Sequence, residues 1–269
     1  MHSLGGIRVG LEIFNLAILP TLIFNSETWY ELNNKTIKRL ENLQNTLLRC
    51  LLSVPNSTPV AALHWDCGFL SIEHRVFQKK LMFLHHLINL EESSLANEIF
   101  ITQKNYNLPG FVNEGRNLLR QFSLPNIIDD TITFTKYQWK RRVKAAIYTD
   151  NEKILKMKIS EYSKLKNGPM TSEKFQEKKY ISEMSIINAR TYFRIRSNMT
   201  TVKMNQVSDK NHARNLWKCA ECGNIDSQTH ILWCPFFLTL REGKSLENDT
   251  ELVEYFREVF KTREERKPS

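Results

Sequence analysis

A chain of 269 residues that is 41 % hydrophobic, with only 9 Gly and 8 Pro, can bury a real core and is neither a disordered tail nor a fibrous polymer. Its five cysteines, an odd number, argue against a disulfide-stapled secreted scaffold and for a reducing compartment. The net charge of +9 is uneven: residues 1–100 carry 8 Lys and Arg against 9 Asp and Glu, which leaves 30 against 20 for residues 101–269. A polyanionic partner, if there is one, is therefore expected at the second part; a solvated basic face is the alternative.

The run LEIFNLAILPTLIF (11–24) is apolar, but Glu12, Asn15 and Pro20 interrupt it and no basic cluster precedes it. It is also shorter than the roughly 20 apolar residues a membrane span needs, so it is expected to be a core helix. Asn34 is placed to cap a helix over residues 36–52, with Ile37, Leu40, Leu43, Leu47, Leu48 and Leu51 at helical steps. Residues 53–59 end it, Thr58 starts a short helix through VAALHW, and Gly68 closes that one. Ser71 caps the next, with the stripe Ile72, Val76, Phe77, Leu81, Leu84 and Ile88. Matched stripes and short links predict a helical bundle over residues 1–103. Cys50 and Cys67 are expected as buried thiols. His64, His74, His85 and His86 lack a carboxylate or thiol at helical spacing and are expected to be packed or solvated rather than metal-bound.

Residues 104–134, broken by Pro109-Gly110 and Pro125, are expected to form a hinge with one short helix around NEGRNLLRQF. The adjacent acids in IIDD (127–130) invite comparison with a two-metal site, but such a site sets its carboxylates on a strand hairpin, so turn or capping duty is expected. A basic helical segment follows over residues 135–200. It opens with KYQWKRRVK, and eight basic residues face two acidic ones between Lys136 and Lys158. A second helix there, about 182–197, carries Arg190, Arg194 and Arg196.

The sharpest pattern lies in residues 201–240, in the run CAECGNIDSQTHILWC. Cys219, Cys222, His230 and Cys234 give a thiolate pair two residues apart, then an imidazole and a third thiolate, the set and spacing of a tetrahedral zinc site. Gly223 suits the positive φ of the turn, and His230 and Cys234, four apart, are expected on one helical face. Four protein ligands leave no position for water, so zinc here would be structural; a redox CxxC pair is the alternative. Residues 241–269 complete the chain with an amphipathic helix in ELVEYFREVF and a charged tail. The expected fold class is all-α: a helical bundle, a basic helical segment and a small CCHC zinc module.

Three stretches together resemble a known family. ILPTLIFNSETWYELNNKTIKRLENLQNTLLRCLLSVPNSTPVAAL, with Glu27, Trp29, Leu48 and Arg49, is similar to the segment after the palm in the reverse transcriptases of non-LTR retrotransposons. YQWKRRVK, INARTYFRIRSNM and CAECG with SQTHILWCP resemble the tail of those enzymes, which closes in a CCHC zinc knuckle. The resemblance implies a thumb-like bundle and a zinc-bearing end that binds RNA or single-stranded DNA. The palm's Tyr/Phe-x-Asp-Asp hairpin has no counterpart between Met1 and Ser269, so no catalytic residues carry over and this polypeptide is not expected to be an enzyme. A palm-bearing polypeptide acting in trans is a conceivable partner, and an intracellular location, nuclear or cytoplasmic, is expected. On this reading Lys140, Arg141, Arg142, Arg190, Arg194 and Arg196 contact phosphates, and Trp217 and Trp233 stack on bases. Those tryptophans could instead pack around the zinc, and a non-catalytic protein-interaction scaffold is the competing function.

Overall fold

The computed structural model describes residues 6–29, 33–106, 108–166, 168–202 and 217–266. The all-α expectation holds: these residues form helices joined by turns, and the β pairing among them is one isolated bridge between Lys218 and Ile225. The chain divides into two compact units. One comprises Leu11–Leu48 and Gly68–Lys158, the other Met1–Gly10, Arg49–Cys67 and Ile159–Ser269. The five consecutive segments expected from the sequence cut across this division. Residues 104–134 lie within the first unit, and 201–240 share the second with 241–269. Burial groups residues by apolar face, and a face pays no regard to order along the chain.

In the first unit the apolar run begins at Leu11, inside α1 (Gly6–Ile13), and continues through a π turn (Phe14–Ile18) and α2 (Leu19–Leu22). The ladder widens just before Pro20, with the Leu19 N–H reaching back to the Phe14 carbonyl, because proline has no N–H to give Leu16. Leu11, Phe14, Leu19 and Ile23 are buried, but Leu16 is 80 % and Phe24 78 % exposed. The expected core helix is therefore core on one face only. Two consecutive lysines of α5 (Ile72–Ile88) then hold the Glu27-x-Trp29 turn. Lys79 Nζ pairs with Glu27 at 2.7 Å, and Lys80, 1 % exposed, donates to the Trp29 carbonyl and to Glu114.

Helix α3 (Asn34–Leu52) starts two residues earlier than expected. Asn33, not Asn34, accepts the Lys35 N–H at 2.9 Å. Leu43 of the expected stripe is exposed, and Gln44 takes its place inside, donating to the Leu70 carbonyl at 3.0 Å. Glu41 reaches the open end of α5 and accepts the Ile72 N–H at 2.6 Å; burial pushes its carboxyl up despite those amides. Ser71 caps α5 as expected, accepting the His74 N–H.

The expected hinge is a packed helix. α7 (Phe111–Gln121) buries Val112, Leu118 and Leu119 against α5 and against α6 (Leu95–Asn105). At Gly115 a Cβ would stand 3.2 Å from both Leu84 methyls, so α5 and α7 approach as closely as they do because no side chain intervenes. α8 (Lys136–Glu161) is pinned by Trp139, whose indole donates to the Leu81 carbonyl at 2.8 Å and stacks on His85.

The second unit is built on α4 (Val60–Cys67), buried from Ala61 to Cys67, with α9 (Lys179–Glu183), α10 (Ile186–Arg196), and the C-terminal elements α11 (Gln228–Trp233), α12 (Leu238–Arg241) and α13 (Asp249–Glu265). α13 packs on both α10 and α12. Cys67 is buried as expected, and desolvation pushes its thiol up; Cys50 is exposed, against expectation, on the outer side of α3.

Candidate metal centre

The CxxC half of the centre is a tight two-stranded turn. The Asp226 N–H donates to the Trp217 carbonyl and the Cys219 N–H to the Asn224 carbonyl, both at 2.6 Å, and the Gly223 N–H returns to Cys219 at 2.9 Å. Gly223 has φ +75, which a side chain would strain. The second half is α11, capped by Ser227, whose hydroxyl accepts the His230 N–H at 3.0 Å. Cys234 was expected on the same helical face as His230. It lies one residue past the helix, in extended backbone with φ −61 and ψ 122, because Pro235 follows it and disfavours the helical region there.

The two halves bring the four donor atoms within 4.8 Å of one another. Cys222 Sγ is 3.2 Å from His230 Nε2 and 3.7 Å from Cys234 Sγ. Tetrahedral zinc, with Zn–S near 2.3 Å and Zn–N near 2.0 Å, sets its ligands roughly 3.5–3.8 Å apart; the Cys222–Cys234 separation matches that and the Cys222–His230 one is slightly shorter. Three soft thiolates and an imidazole are also the donors zinc prefers. Burial pulls the Cys222 thiol upward, but the Asn224 amide and the neighbouring cysteines bring it below the ordinary thiol value. Cys234 is pushed up to about 11, first by burial. Metal binding would release the remaining protons. Among the described residues this is the one cluster of the kind; the four histidines of the N-terminal half do not assemble. His74 bonds Ser71 and Asp150, His85 bonds the Phe134 carbonyl, His64 is buried, and His86 is exposed.

The C-terminal helix completes the surroundings, which the sequence did not reveal. Arg263 of α13 grips the buried Asp226 with both Nη atoms, at 2.7 and 3.2 Å, and its Nη2 stands 3.7 Å from Cys219 Sγ. Tyr255 donates to the Ile231 carbonyl at 2.6 Å, one residue after His230. The signal available was the presence of Arg263 and Tyr255 on one face of the last amphipathic helix, but nothing in the sequence says which face meets the metal loop.

The expected phosphate-binding residues separate into two groups. Lys140, Arg141 and Arg142 are exposed on α8, as are Lys136, Lys144, Lys153, Lys156 and Lys158; Arg142 also lies over the Phe134 ring at 4.7 Å. The arginines of α10 are turned to internal duty. Arg190 donates to the Leu51 carbonyl at 2.8 Å and Arg194 to the Ser53 carbonyl, so both guanidinia cap the C-terminus of α3, where unpaired carbonyls and the helix dipole favour a cation. Arg196 is buried: it bonds Asp66 through Nε (2.8 Å) and Nη2 (3.0 Å), and Glu173 through Nη1 (2.9 Å) and Nη2 (2.7 Å). The expectation that Arg196 contacts phosphate is therefore corrected, since its guanidinium is spent on two carboxylates away from solvent. Trp217 is half-buried beside the metal loop, whereas Trp233 is 67 % exposed with the Arg241 guanidinium 5.2 Å from its ring. Asp129 of the acidic pair sits in a turn and takes a two-pronged bond from Arg116, at 2.7 and 2.9 Å.

No protein-family model matches this chain, and neither a curated protein nor a solved structure matches it. Among the described residues no helix is long and apolar enough to cross a membrane.

Proposed function

We propose that this chain is a non-catalytic, zinc-stapled nucleic-acid-binding protein, corresponding to the post-palm end of a non-LTR retrotransposon reverse transcriptase and working in a reducing, intracellular compartment, nuclear or cytoplasmic. The observation that carries the reading is α8. All eight of its basic residues between Lys136 and Lys158 are exposed, while both acids of that span are engaged, Asp150 by His74 and Glu152 by Lys156. Trp139, Val143 and Ile147 hold the other face in the core, so the cations stay outward on a rigid rod. Such a surface suits a chain of phosphates, and in the other unit the exposed Trp233 ring by itself offers a face on which an unpaired base can stack. Zinc, when bound, would fold the C-terminal loop without any chemistry on a substrate. A palm-bearing polypeptide in trans remains part of this reading.

Fluorescence anisotropy of a labelled single-stranded RNA against salt is the test. With four to six phosphate contacts, raising salt from about 50 to 200 mM should weaken binding on the order of a hundredfold. Replacing Lys140, Arg141, Arg142 and Lys144 together by Ala should flatten that salt slope, whereas replacing Lys35, Lys38 and Arg39 on α3 should leave it unchanged. Equal losses from both sets, or no binding at low salt, would favour the protein-interaction scaffold. The exposed Leu16 and Phe24 and the internal engagement of the α10 arginines are what that second reading rests on.

A further inference from the structure

The structure assigns Arg263 as a positioning residue of the metal centre, and we propose that metal loading locks the last turns of α13, so that the metal-binding unit comprises residues 217–234 together with 249–265. The inference rests on Cys219, Cys222, His230 and Cys234 being metal ligands.

Three observations converge on it. Asp226, four residues before His230 and four after Cys222, is 2 % exposed, and a carboxylate at that depth needs compensation. Arg263 supplies it with two bonds from one planar fork, a geometry that lysine cannot reproduce. The same guanidinium reaches Cys219 Sγ at 3.7 Å and lies 5.3 Å from the buried Phe237 ring. Three thiolates around a divalent cation leave the centre net negative, and the adjacent Asp226 adds to that. Arg263 is the cation placed to offset both while fixing the loop that carries Cys219 and Cys222. Partners of this kind orient ligands and tune metal affinity although they never touch the ion.

The coupling back to the helix follows from where α13 is held. Its first residue, Asp249, accepts the Tyr192 hydroxyl of α10, a contact independent of the metal loop. Further along, Tyr255 bonds Ile231, Arg263 bonds Asp226, and Arg266 lies 4.4 Å from the Phe236 ring and 3.5 Å from Glu221. Ile231, Asp226 and Glu221 all belong to residues 217–234, the segment that the metal folds, and Phe236 follows it directly. Without metal the helix keeps its N-terminal tether and loses its C-terminal ones, so it should fray from Arg263 backward.

The experiment uses the full chain and measures zinc affinity by competition with a chromophoric chelator, alongside hydrogen exchange. The unmodified chain should bind one zinc. Arg263→Gln should weaken binding about 10–100-fold, and Asp226→Asn, which removes the same contact from the other side, should do likewise. Arg263→Lys should restore part of the loss. Tyr255→Phe, which loosens the helix without altering the charge beside Cys219, should stay within about threefold. Chelation should raise exchange in the last two turns of α13 but not in the turn that holds Asp249. Arg263→Gln binding zinc as tightly as the unmodified chain, a Tyr255→Phe loss equal to that of Arg263→Gln, or α13 exchange indifferent to chelation would each overturn the inference. An unmodified chain that binds no metal would overturn the reading of the four ligands, and this inference with it.

Discussion

Arg196→Gln should destabilise the second unit by about 3–5 kcal/mol, the usual cost of removing one partner from a buried ion pair. Asp66 is 0 % exposed, and two of the four Arg196 bonds go to its carboxylate. Once the guanidinium is gone, the Tyr180 hydroxyl at 2.8 Å is the hydrogen bond left on that carboxylate from this network. Glu173 keeps its contact with Lys178 at 2.7 Å and is better placed, because its side chain is a third exposed. The penalty therefore falls mainly on Asp66, and it is large beside a whole-domain margin of about 5–15 kcal/mol. Urea unfolding followed by circular dichroism measures it, with Arg141→Ala on exposed α8 as a control expected within about 0.5 kcal/mol. Asp66→Asn combined with Arg196→Gln should cost less than the two singly, since the stranded charge is then gone. A loss below about 1 kcal/mol for Arg196→Gln would refute the argument from burial. So would unchanged stability together with weakened RNA binding, which is what a phosphate contact would give.

Chelation should release zinc and collapse the near-ultraviolet signal of the C-terminal aromatics while most of the helical signal survives, because residues 11–48 and 68–158 form a unit that contains none of the four ligands; Cys234→Ser retaining a full equivalent of zinc would contradict this. The Arg116 bonds hold the Asp129 carboxyl at about 2, below its ordinary 3.8. A depressed carboxylate contributes stability that is present above its ordinary value and is lost as pH falls toward 2. The pair is partly solvated, so the contribution should be only about 0.5 kcal/mol, and Asp129→Asn should flatten the pH dependence of unfolding between roughly pH 4 and 2; an unchanged slope in that variant would argue against the pair.

Much of this protein could be read locally. Helices α3, α4, α5, α8, α10 and α13 follow from apolar residues at three- and four-residue steps and from caps such as Ser71, since both signals are short-range and depend on the chain alone. The candidate ligands were legible for the same reason: sixteen residues hold all four, at the spacing a tetrahedral zinc site uses. Charge was the misleading signal. The sequence shows Arg190, Arg194 and Arg196 as a basic helix, yet each is bound inward, to the end of α3 or to Asp66 and Glu173, partners 23 to 141 residues away. Lys80 is the same case, an apparent surface lysine buried against Glu114 and the Trp29 carbonyl. Local pattern thus determined which residues are helical and which can ligate a metal. Only the tertiary structure decided which cations face water and that Arg263 meets Asp226, because a charged side chain looks the same in sequence whether its partner is a phosphate in solution or a carboxylate brought to it by the fold.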